Sequence, residues 1–228
     1  MERHSLVQAI HAIESELEIE IADRAEIVRE AYHLRHQVYC VERGYLTGSA
    51  GLEVDEFDLR ARQAVLRSRQ TEEVLGTVRL VLPAVETPDD SFPMQRVCAW
   101  SILRPHVPLT STAEISRFAI SKQRRAGTST LLMRLKLMQG IVRLSSELNL
   151  THWCAVMEPS LLRLLQMTYI DFQPAGPVVD YHGPRQPCFN SIRTVLERIG
   201  SECPDLWQFL TEGGRHYPWS RKRELAAA

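Results

Sequence analysis

The spacing of apolar and polar positions predicts an α/β chain. Residues 6–15 carry apolar positions at helical spacing, and Glu18-Ile-Glu-Ile-Ala22 alternates as a strand with one wet face. Asp23 with Glu26 three residues on has the form of a capping box, which predicts a helix from there to about Glu42. Residues 44–60 are acidic and contain glycine, so an ordered loop is expected. Residues 62–69 and 73–82 read as an antiparallel hairpin around the polar turn Gln70-Thr-Glu. A proline-rich irregular stretch leads to a strand at 113–120, a basic turn, and a helix over about 129–148. In that helix Leu131, Leu135, Met138 and Val142 share one face and Lys136, Gln139, Arg143 and Ser146 the opposite one, which predicts one core side and one solvent side. Residues 151–157 read as the next strand, 159–167 as a helix with Pro at its first turn, 170–173 and 178–183 as closing strands, and 190–200 and 204–212 as two final helices.

Three arginines fall where this pattern wants apolar residues. On the helix after Asp23, Ile27, Val28, Ala31, Tyr32, Leu34, Val38 and Tyr39 form one apolar arc, with Arg35 in its middle. A buried unpaired guanidinium costs several kcal/mol, so Arg35 either snorkels or meets a carboxylate. Candidate partners lie in Glu53-Val-Asp-Glu-Phe-Asp58, where Glu53, Asp55 and Asp58 alternate with apolar anchors. Arg79 interrupts a strand whose two faces are otherwise apolar or small, as in a strand covered on both sides. Glu114 and Arg117 add a third pair, although strand alternation places them on opposite faces unless a β-bulge intervenes. A structural ion cluster and a functional one are both open at this point.

Composition narrows the function classes. Among 228 residues, 27 basic and 28 acidic side chains leave a net charge of -1, which argues against a nucleic-acid binder or a polybasic membrane protein. No 18-residue apolar run predicts a membrane span, and no signal peptide is evident at the N-terminus. Cys40, Cys98, Cys154, Cys188 and Cys203 lack CxxC or His-paired spacing, so reduced thiols in a cytoplasmic protein are expected and no metal site. Loop carboxylates Glu53, Asp55 and Asp58 suit Mg²⁺ or Ca²⁺ in principle, but nearby arginines compete for them. The basic turn Gln123-Arg-Arg-Ala-Gly-Thr-Ser129 opens a helix, where free N–H groups and the dipole favour a phosphate. Without repeats or a linker-like shift, residues 1–228 read as one domain, its core at about 18–190 with a helical extension over about 190–228.

In order along the chain, Arg35-x-x-x-Tyr39, Glu53-x-Asp55-x-x-Asp58, Arg79, Phe92 and Glu114-x-Ser116-Arg117-Phe118 resemble the acyl-homoserine-lactone synthases, a branch of the GNAT acyltransferase superfamily. Arg124-x-x-Gly127-x-Ser129 resembles the superfamily's acyl-donor loop, with serine as a small departure in the last position. Longer blocks, Val38-Tyr-Cys-Val-Glu-Arg-Gly-Tyr45, Gly76-Thr-Val-Arg-Leu-Val-Leu-Pro83, Ala155-Val-Met-Glu-Pro159 and Val179-Asp-Tyr-His-Gly183 among them, are similar to the acyltransferases of bacterial PEP-CTERM/exosortase systems, relatives of the long-chain N-acyl amino acid synthases. Where the signalling synthases carry a Trp after the early arginine motif, this chain has Cys40 and Tyr45.

The resemblance implies a mixed, mainly antiparallel sheet with splayed central strands at 113–120 and 151–157, helices on both faces, and a pantetheine arm in the cleft. It implies acyl transfer from acyl carrier protein or acyl-CoA to an amine, with no tightly bound cofactor and with transient membrane contact through a lipid product. Glu114 is the candidate base, since an amine attacks only when neutral. Arg35, Asp55, Asp58, Arg79 and Arg117 would hold the acceptor pocket, which Tyr39, Glu53, Phe118, Cys154 and Tyr181 would line. Arg124, Arg125, Gly127, Thr128 and Ser129 would take the donor, and Lys122, Arg124, Arg125 and Arg143 would form a basic patch for an acidic carrier protein. Tyr181 and His182, read as lying in a late strand, are candidate proton donors to the leaving thiolate. A nucleophilic Cys154 is a minor alternative because no paired base is visible. The competing readings are a homoserine-lactone synthase and a non-catalytic acyl-binding protein.

Overall fold

The computed structural model describes residues 3–48, 50–124 and 129–217, without the side chains of 3–8 and 11. In chain order the elements are helix α1 (Arg3–Glu16), strand β1 (Leu17–Ile21), helix α2 (Ala25–His36), a π-helical segment (Gln37–Glu42), a 3₁₀ turn (Glu56–Arg60), strands β2 (Ala61–Ser68) and β3 (Val74–Val81), and short helix α3 (Trp100–Leu103). Then come β4 (Thr112–Ile120), α4 (Thr130–Glu147), β5 (His152–Met157), α5 (Pro159–Gln166), β6 (Gln173–Pro174), β7 (Val179–Asp180), β8 (Pro184–Ser191), α6 (Ile192–Glu202) and α7 (Pro204–Thr211). The described residues fall into two units, Met1–Val81 with Ile115–Leu144, and Leu82–Glu114 with the chain from Ser145 onward.

In the first unit β1 pairs antiparallel with β2, and β2 with β3, so the hairpin forms as the alternation predicts. All eight residues of β3 are buried, which fits a strand covered on both faces. Helix α2 sets Ile27, Ala31 and Leu34, and the π-helical segment Val38, against Val65, Val74 and Ala119 from the sheet. The capping box at Asp23 does not form: Arg24 is the N-cap and makes no side-chain cap. Asp23 lies one residue too early for its carboxylate to reach the first free N–H groups.

The two-sided reading of α4 also fails. Residues 135–142 are buried without interruption, Lys136 and Gln139 included, so the helix is covered on all sides. Close packing is possible because Gly140 lies against β1 and β2: a Cβ there would sit 3.1 Å from Ala64 Cβ and from Ile19 Cγ2.

In the second unit β8 pairs antiparallel with β5, β6 and β7. Trp153 on β5 is fully buried and donates its indole N–H to Ser145 Oγ at 2.8 Å. The closing strands predicted at 170–173 and 178–183 shrink to two residues each, and the long strand is β8, which the sequence pattern does not announce. Two prolines, Pro184 and Pro187, with polar neighbours hide it, and Pro187 still contributes its carbonyl to Ala175 N–H. Ser191 caps α6 by accepting from Thr194 N–H.

Candidate functional site

Arg35, Glu53, Asp55, Asp58, Arg79 and Arg117 converge in the first unit as one closed network. Arg35 grips Asp58 with both terminal nitrogens at 2.7 and 2.9 Å and gives its Nε–H to Glu53 at 2.6 Å. Arg79 grips Asp55 at 2.6 and 3.1 Å and reaches Asp58 at 2.9 Å. Arg117 grips Glu53 at 3.0 and 2.8 Å and reaches Asp55 at 2.9 Å. Each arginine therefore holds one carboxylate bidentately and shares a second, the geometry in which guanidinium pairs are strongest. Three positive and three negative groups balance to zero, which is the condition for keeping charge out of water.

The loop is shaped locally before it is clamped. Asp55 Oδ1 accepts from Phe57 N–H, and Asp58 Oδ2 accepts from Asp55 N–H, a reciprocal cap that starts the 3₁₀ turn Glu56–Arg60. Phe57 is buried beneath it as the apolar anchor. On β4 the side chains of consecutive residues Ser116 and Arg117 both enter the network: Ser116 Oγ accepts from Arg79 Nε at 3.0 Å. A regular strand would send them to opposite faces. Arg117 instead adopts φ 49°, a left-handed conformation unusual without glycine, which breaks the alternation at this point.

Burial by itself would raise the carboxylates. The guanidinium groups of Arg117 and Arg35 overcome it at Glu53, and Arg35 and Arg79 at Asp58, so both sit at about 2. Desolvation works against the charge on Arg35 and Arg117 as well, yet their carboxylate partners raise both above the usual arginine value. Tyr32 and Tyr39 complete the surround with their ring faces. Arg35 lies 5.0 Å from the Tyr32 ring centre and Arg117 5.5 Å from that of Tyr39. Burial pushes both phenols up.

The sequence reading gives no role in the network to three contributors. Gln63 offers its carbonyl to Arg35 at 3.4 Å, Ser116 accepts from Arg79, and Tyr32 stacks where only its apolar body was counted. Gln63 is nearly fully buried in β2, and a lone amide within a strand beside a buried arginine was the available signal.

Glu114 is expected from the sequence to make a third pair with Arg117. It belongs to the second unit, is buried, and accepts from Met94 N–H at 2.7 Å, while Arg117 turns to Glu53 and Asp55. Phe118 is half-buried on β4. In the second unit Cys154 is fully buried and its thiol faces the Ala113 carbonyl. Burial first, then the charge of Glu114, hold that thiol well above its usual range, which leaves it a poor nucleophile. Tyr181 and His182 occupy the tight turn between β7 and β8, not a strand; His182 has φ 55° and Gly183 φ 95°. All five cysteines are free thiols.

On the donor side, Arg125, Gly127 and Thr128 lie outside the described residues. Arg124 gives its guanidinium to the Val74 carbonyl at 3.1 Å and pairs with Glu73 at 3.3 Å, and Ser129 is exposed. The Glu53, Asp55 and Asp58 oxygens are taken up by arginines, and among the described residues no group of three His, Cys, Asp or Glu side chains is placed to hold a metal ion.

Residues 34–135 match the acetyltransferase (GNAT) domain. The matched span contains every member of the network, and a GNAT domain there supports an acyl-transferring enzyme. Its α/β fold is shared by solved structures of low identity. The AHL synthase LasI is 18% identical over 77% of this chain and 89% of its own, with a TM-score of 0.60. BjaI, a CoA-dependent acyl-homoserine lactone synthase solved with SAM and isopentyl-CoA, is 19% identical over 82% and 88%, with a TM-score of 0.60. FeeM, an N-acyl amino acid synthase from uncultured soil microbes, is 14% identical over 80% and 93%, with a TM-score of 0.61. No curated protein gives a significant sequence match. No helix among the described residues is long and apolar enough to cross a membrane.

Proposed function

We propose that this GNAT-type enzyme is an N-acyltransferase that moves a fatty acyl group from a thioester donor, acyl carrier protein or acyl-CoA, to the amine of a small acceptor such as an amino acid. The observation that carries this reading is where the ion network meets solvent. Arg35 and Arg79 are 0% exposed, whereas Arg117 and Asp55 are 17% and 16% exposed. The network therefore offers one guanidinium and one carboxylate side by side, complementary to the carboxylate and ammonium of an amino acid. Tyr39 flanks Arg117 as an apolar wall. LasI, BjaI and FeeM, whose fold the chain shares, are named for acyl-homoserine lactone and N-acyl amino acid synthesis, which supports an amine acceptor.

In the proposed reaction the neutral amine attacks the thioester carbonyl, a C–N bond forms and the C–S bond breaks. Glu114 takes the proton from the amine, directly or through a water, and the thiolate leaves to be protonated. The hydrogen bond from Met94 N–H fixes the Glu114 carboxylate in place. Arg35, Arg79, Asp58 and Glu53 hold the acceptor wall rigid, and the donor's phosphate is assigned to the turn that follows β4. We place the enzyme in the cytoplasm, alongside PEP-CTERM/exosortase systems. Mass spectrometry of lipid extracts from cells expressing the wild type and Glu114→Gln tests the assignment. A new N-acyl product in the wild type alone supports it, and its mass separates an N-acyl amino acid from a homoserine lactone. Equal lipid profiles with carrier protein still bound would make the protein a binding module.

A further inference from the structure

The π-helical segment ends in a side chain that no part of the acceptor network uses. Glu42 spans from this segment to the turn after β4. Its carboxylate accepts from the Ser121 hydroxyl at 2.6 Å, from Lys122 N–H at 2.9 Å and from Gln123 N–H at 3.5 Å. Gln37 joins it, donating to Glu42 at 3.4 Å and to the Gln123 side-chain carbonyl at 3.0 Å. Ser121 is fully buried, and its hydroxyl oxygen also accepts from Arg124 N–H at 3.3 Å.

The backbone makes this arrangement possible. In an α-helix five residues turn through about 500°, which leaves positions 37 and 42 about 140° apart. The π segment, closed by Arg43 N–H onto the Val38 carbonyl, brings i and i+5 onto one side. Gln37 and Glu42 thus point together at residues 121–123. Burial opposes the Glu42 charge, and the hydroxyl and N–H donors outweigh it, lowering its pKa.

We infer that Glu42 is a positioning residue for the thioester donor: it fixes residues 121–124 at the mouth of the turn to which the donor phosphate is assigned. The inference rests on that donor assignment. Its test uses the purified full chain, decanoyl-CoA and decanoyl acyl carrier protein, with binding followed by calorimetry and amide exchange followed by mass spectrometry. In Glu42→Ala, exchange at Lys122 and Gln123 rises at least ten-fold. The dissociation constant for the thioester that the wild type binds also rises about ten-fold, the scale of one charge-assisted hydrogen bond. Glu42→Gln, which keeps one acceptor oxygen, falls between wild type and Glu42→Ala, and thermal midpoints stay within a few degrees. Unchanged exchange, or unchanged donor binding in Glu42→Ala, overturns the inference and leaves the donor assignment standing. If the wild type binds neither thioester, both fail together.

Discussion

Replacing Arg35 by methionine removes a fully enclosed positive charge while keeping most of its aliphatic volume. Four hydrogen bonds vanish, to Glu53, to both oxygens of Asp58 and to Gln63. Asp58 keeps Arg79 and Glu53 keeps Arg117, so neither carboxylate is wholly abandoned, but the buried cluster acquires a net negative charge. Removing one partner of a buried pair typically costs 3–5 kcal/mol, and the surviving partners place Arg35→Met at about 3 kcal/mol. With a urea dependence on the order of 2–3 kcal/mol per molar, the unfolding midpoint falls by about 1 M. Arg117→Met supplies the internal control. Its guanidinium is 17% exposed, so water screens what is left behind, and the expected loss is no more than about half as large. Urea titrations of the two variants followed by circular dichroism check the ranking. A midpoint for Arg35→Met equal to wild type, or an Arg117→Met loss as large as that of Arg35→Met, refutes the argument that burial sets the cost.

Three further outcomes follow from the same geometry. Glu53 and Asp58 drop from ordinary values of 4.5 and 3.8 to about 2 on folding, so their stabilisation is complete above those ordinary values and drains away as pH falls toward 2. At about 1.4 kcal/mol per pH unit this amounts to roughly 3 kcal/mol from Glu53 and 2 from Asp58; a urea midpoint flat from pH 5 to pH 2 would contradict it. Ser116→Ala strips Arg79 Nε of its acceptor inside the buried cluster and lowers stability by about 1–2 kcal/mol, read by thermal melting; no change would mean that water replaces the hydroxyl. Buried and raised in pKa, Cys154 and Cys188 resist iodoacetamide in the native state, and peptide mapping should find half-buried Cys40 modified first; early labelling of Cys154 would revive the acyl-enzyme alternative.

The parts that were legible in the sequence are those where one residue contradicts its surroundings. Arg35 in an apolar arc and Arg79 in a strand buried on both faces could survive only with carboxylates, and Glu53, Asp55 and Asp58 were the acids near at hand. What stayed hidden lacks a local signature. Ser116-Arg117-Phe118 contains no glycine, so the left-handed backbone at Arg117 is imposed by the contacts it enables, not by local preference. The π segment keeps the apolar spacing of the preceding helix, so periodicity alone continues it as α. β8 is defined by its partners β5, β6 and β7, and its prolines argue against it when read alone. The solvent face assigned to α4 failed because Lys136 and Gln139 are polar by type yet buried by place.

The ion network joins four stretches of chain that lie far apart: α2 at Arg35, the loop at 53–58, β3 at Arg79 and β4 at Ser116-Arg117. The network closes only when all four segments have arrived. A slip of β3 by one residue would turn Arg79 to the opposite face, leave Asp55 with Arg117 alone and put an uncompensated charge in the core. Apolar residues in the same places would tolerate such a shift with modest loss. The cluster therefore works as a checkpoint on assembly, admitting one register of the sheet and rejecting its near neighbours before any substrate is met.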